Sequence, residues 1–175
     1  MEDKKILMII APEDFRDEEF LEPKEVFESS GAVVTVASKD TDSARGSYGA
    51  MVSVDTDILD VDVDNYDAVV FVGGRGSSVY FEDEVALKLA REAYDGGKIV
   101  AAICIAPSIL ANADILEGSV ATSFPSEESN LVEHGAEYTG KDVEVDGRII
   151  TGSGPHAATE FGQKIMEKLK TDSAN

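Results

Sequence analysis

The sequence predicts an α/β fold: a mostly parallel sheet with helices packed on both faces. Three observations carry that prediction. Segments of strand character and segments of helical character alternate along the chain. Several strand segments, such as Lys5–Ala11 and Tyr66–Gly74, are nearly unbroken apolar runs, the pattern of strands covered on both sides. The chain has 175 residues, 43% of them hydrophobic, enough for a sizeable core in one domain spanning 1–175.

The elements follow in order. Lys5–Ala11 (KILMIIA) is the first strand. Glu22–Gly31 reads as a helix, with Pro23 in its first turn, Val26 and Phe27 on its core face and Gly31 as its stop. Ala32–Ser38 is a second strand, and Gly46–Asp55 a turn with a short edge strand. Tyr66–Gly74 is a third buried strand that runs into glycines. Asp83–Gly97 is an amphipathic helix whose apolar face is Val85, Ala86, Leu89, Ala90 and Ala93, stopped by Gly96. Lys98–Cys104 is a fourth strand, and a helix begins after it at Pro107. Asp142–Gly152 alternates around Asp146-Gly147, a hairpin signal. Ala158–Leu169 is the closing helix, and residues 170–175 are expected to fray. No internal repeat or linker interrupts this series.

In sheets of this kind the working loops leave the carboxyl ends of the strands, where the strand order reverses. That places four stretches together: residues 11–20 (APEDFRDEEF), Gly73–Ser78 (GGRGSS), Cys104–Pro107 (CIAP) and Gly152–His156 (GSGPH).

Composition narrows the function. There are 35 Asp+Glu against 15 Lys+Arg, a formal net charge of -20. Such a surface repels nucleic acid and anionic membranes, so neither is expected as a partner. It suits a salt-rich cytoplasm, where screening relieves the repulsion among carboxylates. No apolar run approaches the roughly 18 residues that span a membrane. Acids follow the first apolar run at once, unlike a signal-peptide cleavage region, so the cytoplasm is the expected location. One cysteine excludes an internal disulfide framework and a cysteine-based zinc site.

That cysteine, Cys104, stands where a buried strand turns into a helix. A nucleophile elbow needs small residues two before and two after, and Ala102-Ile103-Cys104-Ile105-Ala106 meets that need. The free N–H groups and positive end of the following helix are expected to lower the thiol pKa from about 8.5 and favour the thiolate. The plainer role for a lone cysteine is a small buried hydrophobe. Glu19 is its candidate proton partner. On helical spacing it shares a face with Pro23, Val26 and Phe27, and a carboxyl on a core face tends to be protonated. Its plainer role is one more surface acid beside Glu18 and Glu22.

The glycines of Gly73–Ser78 allow backbone N–H groups to converge on an anion, or simply make a turn. The stretch lacks the Gly-Lys-Ser/Thr ending of a P-loop, and the first strand is followed by acids rather than a dinucleotide fingerprint. The Asp-rich stretch Asp55–Asp67 lacks the central glycine and terminal Glu of a calcium loop and reads as a solvated acidic edge. No metal site and no cofactor are expected.

Taken together, DEEFLEP, VGGRG, AAICIAP and ITGSGPHAATEF, in that order along a stretch from Lys5 to about Leu169, resemble the DJ-1/PfpI (ThiJ/PfpI) superfamily and its archaeal branch. The resemblance implies a flavodoxin-like three-layer sandwich and a homodimer or larger homo-oligomer with the site near an interface. It implies that Cys104 is an oxidisable nucleophile and that Glu19 hydrogen-bonds its thiol. It further implies that the backbone amides of Gly74 and Arg75 form the oxyanion side. The protease-like branch carries a His directly after the cysteine, where this chain has Ile105. Other members carry a His before a proline, where this chain has Phe124 before Pro125. Only His134 and His156 remain. His134 precedes Gly135 at an expected helix end and reads as structural. His156 lies in a loop expected near the elbow, directly or across a subunit interface, and is the auxiliary candidate.

The function expected first is a cysteine-dependent, cofactor-free glyoxalase- or deglycase-like activity on small reactive carbonyls, such as methylglyoxal to lactate, with a stress-protective role. The amides of Gly74 and Ile105 would hold the oxyanion. The alternative is a redox-responsive or chaperone-like protein that senses through oxidation of Cys104. A third is an intracellular cysteine peptidase.

Overall fold

The computed structural model describes residues 3–174. The strands are β1 (Lys5–Ile9), β2 (Glu13–Phe15), β3 (Val33–Ser38), β4 (Ser43–Gly46), β5 (Met51–Ser53), β6 (Thr56–Asp57), β7 (Ala68–Phe71), β8 (Ile99–Ile103), β9 (Val120–Ala121), β10 (Glu137–Tyr138), β11 (Val143–Asp146) and β12 (Ile149–Gly152). The helices are α1 (Asp17–Ser29), α2 (Glu84–Asp95), α3 (Pro107–Asn112), α4 (Glu128–Glu133) and α5 (Ala158–Ala174).

Seven strands form the main sheet in the order β11-β12-β8-β7-β1-β3-β6. All its pairings are parallel except that of β11 with β12, the hairpin expected at Asp146-Gly147. Gly147 sits in its turn at φ 59°, a left-handed backbone that suits glycine. Alternation along the central strands builds two cores. Leu7 and Ile9 of β1, Val69 and Phe71 of β7, and Val100 and Ala102 of β8 face one way, against Ala86, Leu89 and Ala90 of α2 and Ile109 and Leu110 of α3. Ile6 and Met8, Val70, and Ala101 and Ile103 face the other way, against Phe20 and Phe27 of α1 and Phe161 and Ile165 of α5. This is the expected three-layer, flavodoxin-like sandwich. No helix among the described residues is long and apolar enough to cross a membrane.

Three boundaries differ from the sequence expectation. α1 begins at Asp17, five residues before the expected start, so Pro23 lies inside the helix rather than in its first turn. Pro23 cannot donate to the carbonyl of Glu19, the bond a helix interior would require. Its backbone packs closely on a glycine: a Cβ at Gly162 of α5 would stand 2.9 Å from Pro23 Cα. Gly46–Asp55 supplies the end of β4 and all of β5, joined as an antiparallel pair beside β2. The expected frayed tail is helical as far as it is described, because α5 runs on through Ala174; Asn175 lies outside the described residues.

The strand order reverses between β1 and β7, and the fold fixes both strand ends there. The carbonyl of Ile10 accepts hydrogen bonds from Ser38 Oγ at 2.7 Å and from Tyr80 Oη at 2.8 Å. The chain after β1 then crosses the end of β7, where the Arg16 N–H donates to the Gly73 carbonyl at 3.0 Å.

Candidate active site

Cys104 follows the last residue of β8 and has φ 66°. For a residue with a Cβ this left-handed backbone costs about 1–2 kcal/mol. Two long-range bonds hold it there. The Cys104 N–H donates to the Gly152 carbonyl at 2.9 Å, and its carbonyl accepts from the Phe124 N–H at 2.7 Å. Ala102 and Ala106 are fully buried, so the small flanking residues sit where the elbow is most crowded. The thiol itself remains half-buried and open to a cleft.

Glu19 lies in the first turn of α1, and its side chain is wholly buried. Phe15 and Phe20 anchor this segment, meeting edge to face with ring centroids 5.6 Å apart. A Cβ at Gly73 would overlap Glu19 Oε1 and would stand 2.6 Å from Cys104 Cβ, so only glycine lets the three segments converge. Neither carboxyl oxygen of Glu19 has a hydrogen-bond partner of good geometry among the described residues. The Cys104 thiol and the Gly73 N–H nevertheless lie near enough to favour its ionised form. Burial outweighs them and pushes Glu19 up to about 8.

The thiol corrects the sequence expectation. Burial, followed by repulsion from the Glu19 carboxylate, pushes Cys104 up to about 12, while the N–H groups of Gly74 and Ile105 pull it down. The helix that was expected to lower it is weak. α3 has only six residues, and its first is Pro107, which has no N–H to offer. Cys104 and Glu19 are one coupled pair, and the first proton lost leaves one negative charge shared between them. At pH 7 the pair is mainly uncharged.

The glycine loop serves two purposes. Gly74 (φ 102°) and Gly76 lie against the backbone of residues 13–16, where a Cβ at Gly74 would stand 2.7 Å from the Asp14 carbonyl oxygen. These glycines therefore allow the acid loop to pass, which the sequence did not signal. The Gly74 and Ile105 amides also reach the sulfur, as expected for an oxyanion pair. Arg75 begins the short turn that follows, and the structure brings it to the cleft rather than its amide to the sulfur.

The cleft encloses about 640 Å³ and brings together Glu19, Gly74, Arg75, Cys104 and Ile105. It also includes residues that sequence reasoning missed. Arg16 stacks its guanidinium 4.6 Å from the centre of the Tyr48 ring. Tyr48 comes from the β4–β5 turn, which the buried carboxylate of Asp17 pins by accepting from the Tyr48 and Ala50 N–H groups, each at 2.9 Å. Phe124 also lines the cleft.

The histidines lie elsewhere. Pro155 lines the cleft, but His156 does not; its Nε2 lies 3.1 Å from Asp142 Oδ1 and 3.4 Å from Ser153 Oγ. Within one chain it is not brought to Cys104. The Nδ1 of His134 sits 2.8 Å from the Asn130 carbonyl at the end of α4, the structural role expected of it.

With this geometry in view, comparison with known proteins gives a consistent answer. The model of the DJ-1/PfpI family matches residues 4–168. The chain is 42% identical to an uncharacterised protein of Methanocaldococcus jannaschii, over 99% of this chain and 86% of that protein. It is 32% identical to the deglycase PfpI of Pyrococcus furiosus, over 95% and 99%, and 29% identical to the glutathione-independent glyoxalase DJR-1.2 of Caenorhabditis elegans, over 95% and 89%. Among solved structures, a ThiJ/PfpI domain protein of Brachyspira murdochii superposes with a TM-score of 0.94 at 35% identity, covering 98% of this chain and 99% of that one.

Proposed function

The chain belongs to the DJ-1/PfpI family, and we propose that within it this protein is a cofactor-independent glyoxalase- or deglycase-like enzyme that acts on small reactive carbonyls through Cys104. One observation carries the proposal: a buried, uncharged carboxyl converges with the only thiol of the chain at a left-handed elbow. The names deglycase and glyoxalase among its relatives support the reaction class.

The chemistry follows from the resting charges. Both groups are uncharged, so adding the thiol to an aldehyde need not create a buried ion. Sγ bonds to the aldehyde carbon, and the carbonyl oxygen takes the Glu19 proton. Glu19 in turn takes the thiol proton, leaving a neutral hemithioacetal. The N–H groups of Gly74 and Ile105 hold the oxygen as charge develops on it. Next, a carboxylate must remove the hydrogen from that carbon. Glu19, pushed up to about 8, is a stronger base than an ordinary carboxylate, and about a tenth of it is ionised at pH 7. The resulting enediolate takes the Glu19 proton at the neighbouring carbon while the hydroxyl proton of the former aldehyde carbon passes to the neighbouring oxygen, giving a thioester, and water releases lactate and the free thiol.

The sensor alternative has less support, because a thiol pushed up by burial is oxidised slowly at neutral pH. The peptidase alternative has less still, because no histidine lines the cleft. The test is lactate release from methylglyoxal by the wild type and by Cys104→Ala. Release by the wild type alone supports the proposal. Equal release by both proteins overturns it.

A further inference from the structure

Two arginines line the cleft, and neither takes part in the chemistry above. The chain has 35 acids and 15 Lys+Arg, so a concavity on its surface would ordinarily be walled by carboxylates. One such concavity, beside β6, is walled by Asp40, Asp42, Asp55, Asp57 and Asp60. At Cys104 the pattern inverts. The charged types there are Arg16, Arg75 and Glu19, and Glu19 is mainly uncharged at neutral pH. The exposed Arg75 guanidinium makes no ion pair or hydrogen bond among the described residues. Arg16 uses Nε on Glu18 Oε2 at 2.6 Å and its face on Tyr48, which leaves its two terminal nitrogens without a hydrogen-bond partner among the described residues. The two arginines approach from loops tied together by the Arg16 N–H bond to the Gly73 carbonyl. The volume points the same way. About 640 Å³ falls within the range of pockets that hold drug-sized ligands and far exceeds what a three-carbon aldehyde fills.

We infer that the substrate is a carbonyl compound carrying a carboxylate or phosphate, with that anion held by Arg75 and Arg16 and the aldehyde carbon at Cys104 Sγ. This rests on the thiol chemistry proposed above and adds the substrate's charge. The covalent step is unchanged: Sγ bonds to carbon, the carbonyl oxygen gains a proton, the thiol gives one up, and the anion stays a spectator.

The test is a pair of alkylating agents of nearly equal size: neutral iodoacetamide and anionic iodoacetate. In each, Sγ displaces iodide from the methylene carbon and the thiol proton passes to buffer, so no turnover is needed. The readout is the iodoacetate-to-iodoacetamide rate ratio at Cys104, in which general changes in thiol reactivity cancel. Relative to the wild type, the ratio should fall about 3-fold in Arg16→Gln or Arg75→Gln and about 10-fold in the double variant. It should fall in the wild type as salt is raised. Arg91→Gln, exposed on α2 away from the cleft, should leave it unchanged. Inorganic phosphate and acetate, added as competitors, should slow iodoacetate, and the stronger of the two identifies the anion. An unchanged ratio in the double variant, or protection by neither anion, overturns the inference. If the ratio shifts but the wild type releases no lactate from methylglyoxal, the proposed turnover of methylglyoxal fails and anion recognition stands. If lactate forms and the ratio does not shift, anion recognition alone fails.

Discussion

Replacing Glu19 by Gln should change how stability depends on pH, and the size of the change follows from burial. In the unfolded chain the carboxyl loses its proton near the ordinary value of 4.5, whereas in the folded protein burial keeps it protonated up to about 8. Between those values the native state binds more protons than the unfolded state, so stability falls as pH rises. The contribution is fully present below 4.5 and is lost as pH passes through about 8. Each tenfold change in an ionisation equilibrium corresponds to about 1.4 kcal/mol, and the interval spans somewhat more than three such factors, so the loss is roughly 4 kcal/mol. Gln does not titrate. The stability of Glu19→Gln minus that of the wild type should therefore rise by roughly 4 kcal/mol between pH 4.5 and 8.5. Any constant cost of burying the amide cancels in this difference. Urea unfolding of both proteins at several pH values measures it. The range should stop near pH 8.5, above which the unfolded-state ionisation of Cys104 adds its own slope in both proteins. Parallel stability curves would refute the burial argument and return Glu19 to the status of an ordinary acid.

Other expectations concern the same site and the surface. Gly73→Ala should cost about 2 kcal/mol or more by thermal unfolding, because its Cβ would press on Cys104 Cβ and Glu19 together; a cost below 0.5 kcal/mol would mean that the convergence is loose. The melting temperature should rise from low to molar KCl as repulsion within a net charge of -20 is screened, and a flat or falling profile would remove the salt-adaptation reading. Peroxide should oxidise Cys104 markedly faster at pH 9 than at pH 7, followed by peptide mass, since the thiol is pushed up by burial. A rate independent of pH would show a thiolate already present at neutrality and favour redox sensing.

Much of this was legible in the sequence because it rests on local pattern. Unbroken apolar runs gave the buried strands, and Asp146-Gly147 gave the hairpin. The small residues around Cys104 gave the elbow, and the helical spacing of Glu19 with Pro23 and Phe27 gave its inward direction. What escaped depends on distant partners. The start of α1 was hidden because Asp17 does not cap its own helix; it bonds the β4–β5 turn about thirty residues away. Tyr48 reaches the cleft only through that turn, and Arg16 only through its bond to Gly73. The glycines of Gly73–Ser78 read only as an anion nest or a plain turn, because the segment pressing on them lies some sixty residues earlier. The direction of the thiol pKa was misjudged for the same reason: the helix start is visible in sequence, whereas the burial that outweighs it is a product of packing.

The central claim is a covalent bond between Cys104 and the substrate carbon during turnover. Rapid-quench mass spectrometry of the protein mixed with methylglyoxal tests it most directly. The account predicts an adduct of one methylglyoxal that maps to Cys104 and that forms and decays at least as fast as lactate appears, and that is absent in Cys104→Ala. Lactate released by the wild type with Cys104 unmodified throughout would contradict it.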